Sequence, residues 1–353
     1  MRVNGTHYRT VWLENTTVKM IDQALLPHRF EILSLPNHTD TAKAIKDMRV
    51  RGAGAIGATA GYAMAQAALG APGNNFFSYL QTAKKLIENT RPTAQNLFYA
   101  TNRVFSSTKN LPPLQARKEA VKAAQAIADE DAENCRLIGM HGSKLIKNNS
   151  RIQTHCNAGW LAFVDYGSAL SPIYQAAREG REVFVYVDET RPRGQGASLT
   201  AWELANENIN HAIIADNAAG YLMQQGRVDM AIVGADRICA NGDVANKIGT
   251  YEKALCANEN GIPFYVAAPT TTIDFSCPSG KDVPIEERSG DEILYVSGLD
   301  SRGSISRVLI APKGSNAVNL AFDLTPSRFI TGIITEKGIF RPVEIKKLKK
   351  IKK

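Results

Sequence analysis

Side chains able to do chemistry are most concentrated between Val233 and Tyr251, V-G-A-D-R-I-C-A-N-G-D-V-A-N-K-I-G-T-Y. This stretch holds two carboxylates (Asp236, Asp243), a guanidinium (Arg237), two carboxamides (Asn241, Asn246) and an ammonium (Lys247), set among small residues. It follows Val228–Val233, V-D-M-A-I-V, an apolar run that reads as a buried strand. Ligands of open α/β sheets bind outside the carboxyl ends of the strands. A polar cluster in that place is a site candidate on position alone.

Other segments carry weaker signals. Thr154–Gly159, T-H-C-N-A-G, ends a short apolar run with an imidazole and a thiol. A cysteine between a strand end and a helix N-terminus can be activated by a depressed pKa. An inert, half-buried Cys156 fits this segment equally well. Strand neighbours point to opposite faces, so His155 reads as structural rather than as a partner of Cys156. Asp188–Leu204 follows another apolar run and places Arg191, Arg193 and Gln195 in a glycine-bearing turn before a helix. That suits an anionic or polyhydroxylated ligand; its plain alternative is a solvated loop. Asn89–Asn96 offers Arg91 before a helix-starting proline, which on its own reads as a capping turn. Glu286 and Glu287, in Pro269–Arg288, read as surface acids.

Gly52–Gly57, G-A-G-A-I-G, matches the dinucleotide fingerprint in letters only. That site needs a preceding strand and an acid about 20 residues onward. Here a helical pattern precedes it, and no acid lies between Gly57 and Lys85. Its glycines instead let a helix N-terminus approach an anion beside Arg51, or serve tight helix packing.

The elements that must position these residues divide into two textures. Short β-prone runs in Thr10–Met20 and Arg29–Leu35 predict a small antiparallel sheet. Helical patterns follow at Thr41–Arg49 (capped by Thr39 or Asp40), Ala55–Leu69, Asn75–Asn89, Ala94–Thr108 and Pro113–Asn149. From Arg151, apolar runs alternate with helical patterns. The runs are Ile152–His155, Val183–Val187, His211–Ile214, Val228–Val233, Phe264–Ala267, Leu294–Val296 and Phe329–Ile334. Helices are expected at Tyr174–Glu179, Leu199–Glu207, Ala219–Gln225, Lys247–Asn258 and Ile285–Asp291. Such alternation predicts a doubly wound parallel sheet. The fold class is therefore α/β. Its expected divisions are a β/helical domain over 1–125, a Rossmann-like domain over 126–345 and a basic tail over 346–353.

Composition narrows the class. With 44% hydrophobic and 22% charged residues, the chain reads as an ordinary globular protein that can build a core. No apolar run is long enough to span a membrane, and the polar Met1–Asn15 lacks a signal core. The five cysteines are widely spaced with no CxxC pair. Neither a disulfide framework nor a zinc site is expected, and a reducing cytoplasm fits best. The net charge of +8 owes six lysines to Ile345–Lys353, leaving about +2 elsewhere. That end carries no aromatics for stacking on nucleic acid and reads as a frayed, solvated terminus. Neither a nucleic-acid nor a membrane partner is expected.

Taken together these segments resemble the methylthioribose-1-phosphate isomerases, whose fold is shared by ribose-1,5-bisphosphate isomerases and by regulatory subunits of the translation-initiation exchange factor. The matching runs are R-G-A-G-A-I-G at Arg51, T-R-P-T-A at Thr90, T-H-C-N-A-G at Thr154, D-E-T-R-P-R-G-Q-G at Asp188, G-A-D-R-I-C-A-N-G-D-V-A-N-K-I-G-T-Y at Gly234, P-F-Y-V-A-A-P at Pro263, I-E-E-R at Ile285, A-F-D-L-T-P at Ala321 and T-G-I-I-T-E-K-G-I at Thr331. Gly54 stands where the family usually has proline, and Ser198 where arginine is usual. The resemblance implies an aldose–ketose isomerase acting on a phosphosugar as a homodimer; no residue cluster has metal-ligand spacing, so neither metal nor cofactor is expected. It implies Cys156 and Asp236 as the catalytic pair, and Arg51, Gly52, Ala53, Arg91, Gln195, Asn246 and Lys247 as substrate contacts. Asp236 is expected behind apolar walls with a raised pKa, and Arg237 is expected to face away from it. The alternatives it leaves are an isomerase of ribose 1,5-bisphosphate or of a 5-deoxyribose 1-phosphate, and a non-catalytic regulatory subunit.

Overall fold

The computed structural model describes residues 1–92 and 94–350. Its contacts divide the chain into two units, Met1–Arg136 with Ala158–Gly167, and Leu137–Asn157 with Ser168–Lys353.

The first unit opens with the two-stranded ribbon β1 (Arg2–Val3) and β2 (Thr6–His7). A three-stranded antiparallel sheet follows, made of β3 (Val11–Glu14), β4 (Thr17–Ile21) and β5 (Ile32–Leu35), where the β-prone runs placed it. Helix α1 (His38–Lys46) is capped by Asn37, not by Thr39 or Asp40. Asn37 is extended, and its side chain accepts the amide of Asp40 in the first turn. Next come α2 (Ala53–Gly70), α3 (Phe76–Glu88), α4 (Gln95–Ser107) and α5 (Pro113–Gly142). Helix α2 is buried continuously from Gly54 to Ala68. Alanine and glycine on every side explain that, since a helix apolar all round has no solvent face.

The chain passes into the second unit within α5. There β6 (Ser150–Thr154), α6 (Ser171–Arg178), β7 (Val183–Asp188), α7 (Ala201–Asn206), β8 (Asn210–Ile214), α8 (Ala218–Gln224) and β9 (Met230–Val233) alternate. The excursion β10 (Arg237–Cys239) and β11 (Val244–Lys247) precedes α9 (Thr250–Glu259) and β12 (Phe264–Ala267). The chain continues through β13 (Ile273–Asp274), α10 (Asp291–Leu294), β14 (Tyr295–Leu299), β15 (Ile305–Leu309), β16 (Phe322–Thr325), β17 (Gly332–Thr335) and β18 (Gly338–Phe340).

The main sheet has seven strands in the order β18-β17-β12-β9-β6-β7-β8. Every pairing in it is parallel except β17 with β18. All four residues of β9 and all four of β17 are buried, as expected of strands covered on both faces. From β6 the chain winds outward through β7 and β8. It then returns to β9 and winds the other way through β12 and β17. The expected doubly wound α/β sheet is present, and its direction reverses between β6 and β9.

Four local expectations need correction. The helix expected over Ile285–Asp291 is absent, because Glu286 and Arg288 exchange backbone hydrogen bonds with Ala321 and Asn319 and hold that segment extended. Lys247 ends a strand rather than starting a helix, because Val244–Lys247 pairs antiparallel with Phe322–Thr325, far away in sequence. The run at Leu294–Val296 stays outside the main sheet and forms a hairpin, β14 with β15. The basic end is not frayed through its described part: Pro342–Lys350 is a 3-10 helix whose Ile345 and Leu348 are buried. Two apolar residues on one face dock that segment despite its lysines. Residues 351–353 lie outside the described residues. Among the described residues no helix is long and apolar enough to cross a membrane.

Candidate active site

A doubly wound sheet opens a crevice where its winding reverses, just beyond the strand ends. The two strands flanking that point are β6, leading into Cys156, and β9, leading into Asp236. Thr154 Oγ1 donates to Ile232 O at 2.8 Å and ties the two ends together.

Cys156 is half-buried and adopts a left-handed backbone, φ +64°. Burial pushes its thiol above the ordinary value. Lys247 opposes that most strongly, with the Asn157 amide and Arg288 acting the same way, while Asp236 adds to the rise. The shift is opposite to the depressed pKa of an activated strand-end cysteine. His155 is structural, as read: Nδ1 lies 2.7 Å from Asp188 Oδ2 and Nε2 lies 2.7 Å from Ile248 O. Asp188 also accepts from Gln153 at 2.8 Å, and burial raises its pKa against these partners.

Asp236 departs from expectation. It is exposed in the chain rather than enclosed behind apolar walls. Its amide donates to Ala245 O at 3.0 Å. Arg237 does turn elsewhere, to Asp274 at 3.4 Å.

The small sheet β13-β10-β11-β16 supplies the next group. Asn246 is buried and donates to Thr250 Oγ1 at 3.0 Å. Lys247 is 6% exposed, donates to Ala321 O at 2.8 Å and lies 4.9 Å from the centre of the Phe322 ring. Burial lowers its pKa, while Cys156 and Asp236 favour the charged form. Arg288 lies over the same ring at 5.4 Å. Burial acts against its charge, but pairing with Glu286 at 3.0 Å outweighs that and the pKa is raised. Arg288 escaped the reading of the sequence. It ends the I-E-E-R run, where the two glutamates drew the attention.

The turn after β7 is held by Asp216, which accepts the amides of Thr190 and Arg191, each at 2.7 Å. Arg191 donates to Ile293 O at 2.8 Å, and Arg193 to Glu292 at 3.2 Å. Gln195 is 8% exposed, and its Oε1 has no partner among the described residues. A Cβ on Gly196 would overlap the carbonyl of Asp188, so glycine is required where the turn folds back on β7. His155, Asp188 and Asp216 bring ligand-type atoms within 4.8 Å of one another. Those atoms are largely committed to the hydrogen bonds just described, which makes the group an internal scaffold.

The remaining expected residues belong to the first unit. Arg51 and Arg91 are half-buried. Gly52, at φ +87°, precedes Ala53 at the start of α2, and no side chain caps that helix. A Cβ on Gly52 would overlap the Ala162 backbone, and one on Gly54 would overlap Asp131 and Phe163. Tight packing therefore accounts for these two glycines. Asp131 accepts the Val164 amide at 2.7 Å, and burial pushes its carboxyl up to about 7. Arg91 begins the turn into α4; Thr93 of its T-R-P-T-A run lies outside the described residues.

The second unit thus sets Cys156, Asp236, Lys247 and Arg288 in one another's electrostatic field. Gln195 and Asn246 belong to the same unit. Comparison with known proteins bears on what such a group does. Residues 49–342 match the model of the initiation factor 2 subunit family. The methylthioribose-1-phosphate isomerase of Sinorhizobium medicae is 50% identical over 351 residues, covering 96% of both chains. That of Escherichia coli is 48% identical over 350 residues, 96% of this chain and 93% of the other. The crystal structure of 5-methylthioribose 1-phosphate isomerase from Pyrococcus horikoshii matches with a TM-score of 0.89 and 42% identity, covering 98% and 96% of the two chains. The translation initiation factor eIF-2B delta subunit from A. fulgidus matches with a TM-score of 0.87 and 38% identity, covering 98% and 100%. The chain belongs to the initiation factor 2 subunit family and, within it, to the methylthioribose-1-phosphate isomerases.

Proposed function

We propose that this chain converts 5-methylthioribose 1-phosphate to 5-methylthioribulose 1-phosphate, a step of methionine salvage, in the cytoplasm and as a homodimer. The observation that carries the reading is a thiol and a carboxylate leaving adjacent strands at the reversal of the sheet, with Lys247 and Arg288 in their field.

The substrate's anomeric oxygen carries phosphate, so its ring does not open to a free aldehyde as an ordinary sugar does. The ring oxygen must gain a proton as its bond to C1 breaks. One hydrogen must then leave C2 and one must arrive at C1, with no net change in composition. Asp236 is the proposed proton donor to the ring oxygen. Cys156 is the proposed partner of the C2-to-C1 transfer: as thiolate it is the base that takes the C2 proton in an enediol route, and as thiol it stabilises the transition state of a hydride route. An enediol route moves a proton through a base; a hydride route moves hydrogen with its electron pair directly. Lys247 is the proposed phosphate ligand of the second unit, with Gln195 and Asn246 holding sugar hydroxyls. Arg51, Arg91 and the backbone of Gly52 and Ala53 are further proposed phosphate contacts, the backbone pair by virtue of standing at a helix N-terminus.

The test is turnover of three substrates by the purified protein: methylthioribose 1-phosphate, ribose 1,5-bisphosphate and 5-deoxyribose 1-phosphate. The highest kcat/KM is expected on the first. A preference for the second moves the enzyme to the bisphosphate isomerases, and no turnover on any of them leaves a regulatory subunit. With C2-deuterated substrate, complete loss of label to water excludes hydride transfer. Arg51→Ala and Arg91→Ala are each expected to raise KM, and an unchanged KM removes that arginine from the contact set.

A further inference from the structure

Both backbone groups of Cys156 are held by side chains rather than by sheet or helix. Its amide donates to Thr190 Oγ1 at 2.8 Å, and its carbonyl accepts from Thr200 Oγ1 at 2.7 Å. Thr190 Oγ1 in turn donates to Asp188 O at 3.0 Å. Thr200 Oγ1 accepts from Asn157 Nδ2 at 3.2 Å, and that amide also donates to Glu203 Oε1 at 2.8 Å. Glu203 takes a further bond from Tyr174 at 2.6 Å. Thr190, Thr200 and Glu203 are fully buried.

Two of these residues are strained. Cys156 and Thr190 both lie at φ +64° without being glycine. A β-branched residue rarely adopts that conformation, and it persists only where surrounding bonds over-determine it. Asp216 supplies them at Thr190, and the two threonine hydroxyls supply them at Cys156. Thr200 closes a π-helical turn, Gly196–Thr200, an element that recurs at functional sites.

We propose that Thr190 and Thr200 are positioning residues that clamp Cys156 in the left-handed conformation its chemistry requires. Neither hydroxyl is assigned contact with substrate. Their action runs through the backbone on either side of the thiol-bearing carbon. The inference rests on Cys156 being a reacting group, as proposed above.

Four variants test it: Thr190→Val and Thr200→Val, which keep shape and lose the hydroxyl, and Thr190→Ser and Thr200→Ser, which keep the hydroxyl. Each is assayed for kcat and KM on methylthioribose 1-phosphate, and for the rate of Cys156 alkylation by iodoacetamide at one fixed pH, read by mass spectrometry. The valine variants are expected to lose about tenfold to a hundredfold in kcat at nearly constant KM, the scale of a misplaced reacting group. Their alkylation is expected to be faster than in the parent, and the serine variants to stay near the parent in both readouts. Valine variants with parental kcat, or serine variants as slow as valine ones, overturn the clamp. If a valine variant does not fold, alanine at the same position replaces it with the same expectation. Cys156→Ser is assayed alongside. Full turnover in Cys156→Ser ends the reading beneath the clamp, whereas an inactive Cys156→Ser beside fully active valine variants ends the clamp alone.

Discussion

The ends of β6 and β9 are neighbours in one sheet, yet they present their reactive groups in opposite ways. At the first, Cys156 is half-buried, strained and tied through both backbone groups to hydroxyls from two other segments. At the second, Asp236 is exposed, and its amide joins an ordinary backbone bond to Ala245. A group at a crowded strand end is positioned by what surrounds it. A group at an open one still faces solvent until a ligand covers it. On this view the thiol is preorganised by the protein, while the carboxylate acquires its working environment from the bound sugar.

The sharpest test of that contrast removes each group in turn. Asp236→Asn and Cys156→Ser are each expected to lower kcat by about 10²–10⁴, the usual range for a positioned proton-transfer group, with KM changed far less. Steady-state kinetics decides, and near-normal turnover in either variant removes that residue from the mechanism.

Gly196→Ala tests the crowded end through its backbone. The added Cβ meets the Asp188 carbonyl, so the turn carrying Thr190 and Gln195 must shift. Overpacking of this kind costs about 1–3 kcal/mol or more. A melting point clearly below the parent's is expected, and an unchanged one means that the turn has room which the structure does not show.

Lys247→Met separates binding from electrostatics. Loss of a charged contact to phosphate is expected to raise KM by about tenfold or more. It also removes the strongest influence lowering the Cys156 pKa, so the pH profile of Cys156 alkylation should move to higher pH. Asp236→Asn removes an influence raising that pKa, and its profile should move the other way. Shifts of the same sign in both variants would break the assignment of a shared field.

The smallest effect is expected in the first unit. Asp131 is held at about 7, well above the ordinary carboxylate value of 3.8. The folded chain therefore binds this proton more tightly than the unfolded one. The stabilising effect is complete at low pH and is lost as pH rises from about 4 through about 7. Asp131→Asn should flatten that decline and leave the variant more stable than the parent above neutrality. Denaturant unfolding on both sides of neutrality measures it, and parallel stability–pH curves would refute a buried proton there.

Much of the second unit was legible because its signals are local. V-D-M-A-I-V and V-F-V-Y-V read as buried strands, and small polar residues follow them into Asp236 and Gln195. Cys156 could not be decided from T-H-C-N-A-G, since its left-handed conformation depends on Thr190 and Thr200, more than thirty residues away. Lys247 read as helical because its strand partner lies beyond residue 320. Asp236 was expected to be enclosed because it ends a buried strand. Here the chain turns away into the β10–β11 excursion and leaves it exposed. Arg288 offered one signal, its place in I-E-E-R; its position over the Phe322 ring was not foreseeable. The lysine-rich end hid two docking residues, Ile345 and Leu348, because charge dominates composition while burial follows single side chains.

By itself the sequence determined most of the buried strands and long helices, and that polar clusters follow the strands. Those properties depend on hydrophobic period and run length within a few turns of chain. Only the tertiary structure decided that β6 lies beside β9, that Cys156 is clamped, and that Lys247 and Arg288 share one aromatic ring. Each of these is a pairing between distant segments, selected by the packing of the whole unit rather than by any residue's local preference.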